Sequence, residues 1–321
     1  MDYDVITMGS ATIDIFLYTS GELVKIETPK IKETLLAYPL GTKIVVKNSH
    51  IMTGGGGTNT AVAFSRMGLK TSFIGKIGDD FYGEKVRDEL KKEKIDFLGS
   101  IGKGMTAFSV VMDSFAHDRT IFTQKGESNN LSLKEINTSK INTHWLYMSS
   151  MLDKSFSTSI TIAKRVKAIG GKVAYNPSIY ITEKGMKFLS PLLRFVDYLI
   201  LNKEEAVSLL STDENDPYFL LEHLKTQGFV GVVITDGANG AYGIDAFSQH
   251  YSLKSHKIKV IESTGAGDSF ASGFMSGIIK GLDFESAMKI GISNAESVIT
   301  QIGAKNRLLS FKEAMKKARL K

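Results

Sequence analysis

The sequence contains no cysteine, which removes disulfides, thiolate metal sites and a cysteine nucleophile together. Its six histidines, His50, His117, His144, His223, His250 and His256, show no metal-ligand spacing and are assigned to surface or core. No apolar run approaches the roughly 20 residues that a membrane span needs. The start, Met1-Asp-Tyr-Asp-Val-Ile-Thr-Met-Gly9, carries acids where a signal peptide would carry a basic region. These absences point to a cytoplasmic protein without a membrane partner. The glycine runs lack the Lys-Ser/Thr pair of a Walker A loop, and no Gly-x-Gly-x-x-Gly follows the first predicted strand, which sets aside a nicotinamide dehydrogenase. No internal repeat, low-complexity tract or linker is visible, so residues 1–321 are expected to form one large domain.

What is present is an ordinary globular composition. The chain has 321 residues, 42% hydrophobic and 23% charged, enough for a large core. The net charge of +6 is spread among interleaved acids, and the densest basic cluster, Lys316 to Lys321, is an amphipathic end without aromatics. That pattern argues against nucleic acid and leaves a mild attraction for anionic substrates.

The stretch Glu262-Ser-Thr-Gly-Ala-Gly-Asp268 leads into an apolar segment with Phe270, Phe274, Met275, Ile278 and Ile279 at helical intervals, which places Gly265 to Asp268 at a helix N-terminus. The first N–H groups of a helix lack carbonyl partners, and Gly265 and Gly267 let an anion approach the backbone. A carboxylate beside such a nest repels phosphate. Asp268 therefore either takes a proton from an attacking hydroxyl or simply caps the helix. A second glycine-rich helix entrance is Gly54-Gly-Gly-Gly-Thr-Asn59, with Ala61, Ala63, Phe64 and Met67 toward the core and Gly68 just past the end. Asn59 offers both a donor and an acceptor to a polyhydroxylated ligand.

Elsewhere the chain alternates. Asp4 to Met8 reads as a buried strand leading to a turn from which Asp14 emerges. Thr42 to Val46, Ser49 to Met52 and Thr71 to Lys76 read as strands, and Glu84 to Glu93 as a helix. Thr106 to Met112 and Arg119 to Thr123 form a hairpin across a polar turn at 113–118. From Trp145 the rhythm is strand, helix, strand: strands at Trp145–Met148, Lys172–Tyr175, Tyr198–Leu201 and Val230–Thr235, and a helix over Ser155–Ile169. This predicts a mostly parallel sheet covered by helices on both faces, with a small β-sheet lid built from segments at about 15–52 and 104–124. Asp14, Asn176, Asn202, Glu205, Thr235 and Asp268 gather at predicted strand exits, where ligands bind in open parallel sheets.

Taken together, these motifs resemble the ribokinase-like, or PfkB, family of carbohydrate and nucleoside kinases. Gly54 to Gly68 looks like its N-terminal signature and Ser263 to Phe274 like its C-terminal one. Between them, Asn202-Lys-Glu-Glu205 is similar to its Asn-x-x-Glu motif, and Val233-Ile-Thr-Asp-Gly-Ala-Asn-Gly240 to its nucleotide-phosphate loop. The resemblance runs nearly end to end. It implies a three-layer α/β/α fold and an ATP-dependent kinase that phosphorylates a primary hydroxyl of a sugar or sugar-like acceptor. Asp268 would be the general base, and the N–H groups of Gly265, Ala266 and Gly267 would hold the transferred phosphoryl group. Asn202 and Glu205 would organise Mg²⁺ through water. Thr235, Gly237 and Gly240 would line the triphosphate and Asn294 would pack the adenine. Asp14, Gly55, Gly56, Gly57 and Asn59 would hold the acceptor's hydroxyls.

The chain departs from the family at three places. Glu262 stands where the family often has Asp, one methylene longer, a change that bears on any monovalent-cation (K⁺) site nearby. Gly56 stands where ribokinases proper commonly carry a lysine, and Met151 near a position where they use a glutamate. The departures at Gly56 and Met151 disfavour a strict ribose kinase. A nucleoside kinase, with Phe16, Phe108, Met112 and Phe122 walling a base, and a non-catalytic sugar sensor on the same fold are the alternatives. Arg119 in the lid hairpin is a candidate for a phosphate or carboxylate on the acceptor, against a solvent-facing arginine. An exposed lid edge is the expected surface for a homodimer.

Overall fold

A computed structural model describes residues 1–19, 22–27, 32–113 and 119–320. The turn expected at 113–118 falls outside them apart from the backbone of Asp113, as does the side chain of Arg119. In chain order the elements are β1 (Tyr3–Met8), β2 (Thr12–Tyr18), β3 (Glu22–Glu27), β4 (Lys32–Ala37), β5 (Asn48–Gly54), α1 (Gly56–Arg66), β6 (Thr71–Ile74), β7 (Lys76–Gly78), α2 (Phe81–Lys92), β8 (Asp96–Phe97), β9 (Ser100–Gly102), β10 (Ala107–Asp113) and β11 (Arg119–Gln124). The second half continues with β12 (Thr143–Ser149), α3 (Asp153–Ala168), β13 (Lys172–Asn176), α4 (Ile179–Thr182), α5 (Gly185–Leu193), β14 (Tyr198–Asn202), α6 (Lys203–Leu210), α7 (Pro217–Lys225), β15 (Gly231–Thr235), β16 (Ala241–Ile244), β17 (His250–Leu253), α8 (Ala266–Ile279), α9 (Phe284–Val298) and α10 (Phe311–Lys317).

The strands at the centre of the main sheet are buried on both faces, which is why they read as continuous apolar runs. Alternate residues serve opposite layers. Leu146, Met148, Val173, Leu199 and Val232 join a core with α3, α5, α6 and α7, whereas Trp145, Tyr147, Ala174, Ile200 and Val233 join another with Phe64 of α1, Phe274 of α8 and Met288 of α9. The result is the expected three-layer α/β/α arrangement. The nine-stranded sheet runs β17-β16-β15-β14-β13-β12-β1-β6-β8, with β15 through β8 parallel and β16 and β17 antiparallel. Because β1, β12, β13, β14 and β15 are parallel neighbours, their exits at Ser10, Ser149, Asn176, Asn202 and Thr235 fall along one edge.

A second, four-stranded sheet has the order β11-β10-β2-β5. Its middle strand, β2, corrects the sequence reading. Asp14 lies inside a strand, opposite Ser109 on one side and Met52 on the other, not in a turn after β1. The alternation in Thr12–Tyr18 was masked by Gly9 and Ser10 just before it. The expected strand at Thr42–Val46 does not form: Ile44, Val45 and Val46 are exposed, and β-branched residues with no face to pack against gain little from pairing. The expected strand Thr71–Lys76 is two, β6 and β7, broken at Gly75, where a Cβ would collide with Phe73 and the carbonyl of Gly9. Among the described residues, no helix is long and apolar enough to cross a membrane.

Candidate active site

Helix α8 begins at Ala266 with Gly265 as its N-cap at φ 80°. That left-handed backbone suits glycine, and the space demands it as well, because a Cβ here would lie 2.4 Å from the Ala304 Cβ. The Ala266 N–H donates to the Ser263 carbonyl at 3.2 Å, so it is partly occupied. Those of Gly265 and Gly267 make no hydrogen bond among the described residues. Beside Gly267 the space is open, with nothing within 4 Å of a modest side chain's first carbon.

Opposite stands the other glycine-rich entrance. Helix α1 starts at Gly56, with Gly55 at φ 96° before it. Asn59, one turn in, donates from Nδ2 to Asp268 Oδ2 at 2.8 Å, and a Cβ on Gly56 would sit 3.5 Å from Asp268 Oδ1. The two helix entrances therefore converge on one carboxylate. Burial raises the pKa of Asp268, while the Asn59 hydrogen bond and the charge of Lys305 pull it back. Asn59 Oδ1 and the nearby Ser149 Oγ are buried without a hydrogen-bond partner among the described residues, and orphaned buried polar atoms call for an explanation such as a ligand.

Along the sheet edge, Asn202 and Glu205 form a reciprocal capping box on α6: Glu205 N donates to Asn202 Oδ1 and Asn202 N to Glu205 Oε2, both at 2.8 Å. Burial, joined by the charge of Asp268, pushes the Glu205 carboxyl up to about 7. Thr235 ends β15, and the following turn carries Gly237 at φ 51° and Gly240 at φ 101°. In that turn Asp236 pairs with Lys203 at 2.7 Å.

A cavity of about 350 Å³ joins these parts. Of the residues singled out in the sequence, Gly56, Met151, Asn176, Asn202, Glu205, Thr235, Gly265, Gly267 and Asp268 line it. Asn59 does not, but holds Asp268 in place. Gly55 and Gly57 are close-packing glycines, whose Cβ atoms would strike the Ser10 carbonyl and the Gly9 backbone. Asp14 sits on the small sheet, taking a hydrogen bond from Thr12 Oγ1 at 3.2 Å, with its pKa raised by burial. Asn294 is wholly buried. It donates to the Ser269 carbonyl at 2.8 Å and accepts from Leu309 N at 3.0 Å, so it ties α9 to α8 and does not face an open pocket. Sequence reasoning missed Ser10, Lys125, Ser149, Ser150 and Tyr180 as lining residues. Ser149 ends β12 and Ser150 follows it, an exit with the same signal as Asn176 and Asn202. Lys125 carried no signal of its own.

The profile of the pfkB family carbohydrate kinases matches residues 5–310. The chain belongs to the pfkB carbohydrate kinase family. It is similar to a ribokinase from Haemophilus influenzae, 25% identical over 284 residues that span 86% of this chain and 90% of that one. It is also similar to a 5-dehydro-2-deoxygluconokinase from Halalkalibacterium halodurans, 27% identical over 328 residues, 97% of this chain and 93% of that one. In three dimensions it superposes on an adenosine kinase from Sinorhizobium meliloti with a TM-score of 0.83 at 23% identity, covering 99% of this chain and 100% of the other. The ribokinase of Arabidopsis thaliana complexed with ribose and ATP gives 0.81 at 21% identity, with both chains covered in full. These superpositions show a ribokinase-like fold. Within this pfkB family kinase, Glu262 accepts hydrogen bonds from Thr264 N at 2.7 Å and Gly303 N at 3.5 Å, so its longer side chain bridges the turn before α8 and the loop behind it.

Proposed function

We propose that this chain transfers the γ-phosphoryl group of ATP to an alcohol group, a primary hydroxyl, of a sugar or sugar-like acceptor. The observation that carries this reading is Asp268, held by Asn59 between two glycine-rich helix entrances at the floor of one cavity. Its ionised carboxylate takes the proton of the acceptor hydroxyl as that oxygen bonds to phosphorus and the bridging oxygen leaves with ADP. The N–H groups of Gly265 and Gly267 face the charge on the phosphoryl group, with Ala266 contributing less because it already has a partner. Thr235 and the Gly237–Gly240 turn lie along the triphosphate, and Ser10, Gly56 and Ser149 face the acceptor.

The residues fit a magnesium ion carried in with ATP. Glu205 and Asp268 face one cavity, and the charge of Asp268 raises the cost of ionising Glu205, a cost that a divalent cation would offset. No group of three or more acidic or histidine side chains that could hold a metal occurs among the described residues, which suits Mg²⁺ held by one carboxylate, water and phosphates. When bound, the ion would neutralise phosphate charge. Glu205 Oε1 is the free protein oxygen for it, since Oε2 caps α6. A K⁺ ion beside Glu262 remains part of the same reading, checked by assaying in Na⁺ and in K⁺.

The small sheet acts in this reading as a lid that excludes water, which otherwise competes for the phosphoryl group. It also serves as the homodimer surface. Ile51, Ile15, Val110 and Phe122 form one row across its four strands, with Ile51 56% and Phe122 59% exposed. Sedimentation velocity tests that dimer. Turnover is tested with Asp268→Asn. Folding and ATP binding should persist while acceptor-stimulated ATP consumption falls by about three orders of magnitude or more, as loss of a general base together with its charge entails. Turnover near wild type in that variant overturns the mechanism. Sugar binding without acceptor-stimulated turnover in the wild type would instead indicate a sensor.

A further inference from the structure

We infer that the acceptor carries an oxyanion, and that Lys125 is the specificity-determining residue that binds it. The inference rests on the kinase reading above and adds the substrate class. Lys125 follows β11 and opens the turn Gly126–Asn129, so the small sheet delivers it to the wall of the cavity, where Ser128 and Asn129 line the same side. Its ammonium lies 4.6 Å from the centroid of the Tyr180 ring, and Tyr180 is also a lining residue. No carboxylate lies within ion-pair distance of Lys125 among the described residues.

The acids nearby are already committed. Glu127, two residues on, turns inward to pair with Lys76 at 3.1 Å and to accept from Gly104 N at 2.7 Å. Asp153 is taken by Asn129 Nδ2 at 2.9 Å. Lys203, at the nucleotide end, is paired with Asp236 at 2.7 Å. Lys125 is thus left without an ion-pair partner among the described residues, its ammonium set over the Tyr180 ring. Burial lowers its pKa, and the charge of Asp14 on the small sheet opposes that. A partly desolvated ammonium without a contacting ion-pair partner is costly, and a carboxylate or phosphate on the acceptor would supply that contact. The rest of that wall, Ser128, Asn129, Ser150 and Ser178, offers hydroxyl and amide groups suited to a polyol. A sugar acid or a sugar phosphate, its reacting hydroxyl at Asp268 and its anionic end at Lys125, satisfies both halves.

The test is a steady-state acceptor panel. Ribose, fructose and glucose form the neutral arm, gluconate and ribonate the carboxylate arm, and fructose 6-phosphate the phosphate arm, each with wild type, Lys125→Met and Lys125→Arg. The ratio of kcat/KM for an anionic acceptor to that for its neutral counterpart should exceed ten in the wild type. It should fall about ten- to hundred-fold in Lys125→Met, mainly through KM, and recover in part in Lys125→Arg, as expected for one charge-assisted contact. The arm that shows the preference identifies the oxyanion. Neutral acceptors turned over as well as both anionic arms would overturn the inference and leave the kinase standing, as would a ratio unchanged by Lys125→Met. Should no acceptor be turned over, the kinase reading itself fails. Calorimetric titration of gluconate and fructose 6-phosphate into wild type and Lys125→Met then decides the anion site alone, equal or absent binding by the two proteins counting against it.

Discussion

Asp268 and Glu205 are two carboxylates in one cavity with different local partners, and each makes a distinct pH prediction. Asp268 is needed ionised, and the Asn59 hydrogen bond is what most opposes the upward pull of burial on its pKa. Asn59→Ala removes that bond, so the acid limb of the kcat/KM profile should move to higher pH, with kcat recovered at alkaline pH. An unmoved limb would mean that Asp268 is not the group being titrated. Glu205, pushed up to about 7, holds its proton in the folded state at pH values where the unfolded chain has already lost it. Stability should therefore decline as pH rises from the ordinary glutamate range through about 7. Glu205→Gln keeps an oxygen for the capping bond to Asn202 and removes the ionisation. It should match wild type near pH 4 in thermal denaturation and exceed it at pH 8. Addition of Mg²⁺ and ATP at pH 8 should narrow that gap, because the cation favours the ionised glutamate in wild type alone.

At the scale of elements, the two glycines of the α8 entrance are not equivalent. Gly265→Ala meets both an unfavourable φ of 80° and the side chain of Ala304, so it should lose stability by more than the roughly 1–2 kcal/mol that a left-handed residue costs by itself, and activity with it. Gly267→Ala has open space and helical backbone. It should keep or gain up to about 1 kcal/mol of stability while its methyl crowds the phosphoryl position and lowers turnover. Denaturant titration beside a rate assay separates stability from activity. The sequence showed both helix entrances because a run of small residues before an apolar 3.6-residue period has few other uses. It did not reveal β2, because a strand that follows a glycine turn by three residues looks like part of the turn. Nor did it separate Gly56, which faces the cavity, from Gly55 and Gly57, which face the backbone of β1's exit. That difference depends on which neighbour each glycine meets in space. Lys125 was invisible for the same reason: its isolation follows from Glu127 and Asp153 having found partners far along the chain.

Across the whole molecule, the loop at 303–306 joins the small sheet to the phosphoryl site. On one side Ala304 packs against Gly265, and on the other a Cβ on Gly303 would strike Met52 of β5. Lys305, next along the chain, is buried and pairs with Glu89 of α2 at 2.5 Å, and Glu89 also accepts from Thr53 of β5 at 2.5 Å. Arg66, at the end of α1, donates to the Lys305 carbonyl at 2.6 Å. One buried ammonium thus fastens both glycine-rich helices' surroundings to the base of the small sheet, and its charge also reaches Asp14 and Asp268, opposing the rise in pKa that burial gives each. Burial in turn lowers the pKa of Lys305, and Glu89 is the main group opposing that shift. Removing the acid alone strands the cation: Glu89→Ala should cost about 3–5 kcal/mol in denaturant unfolding. Lys305→Met in the same background removes the stranded charge, so the double variant should recover part of that loss, a coupling that a double-mutant cycle measures directly. In Lys305→Met alone, Asp268 loses a favourable charge, and the acid limb of kcat/KM should rise as it does for Asn59→Ala. Additive stability losses at Glu89 and Lys305 would show that the pair does not act as one clamp.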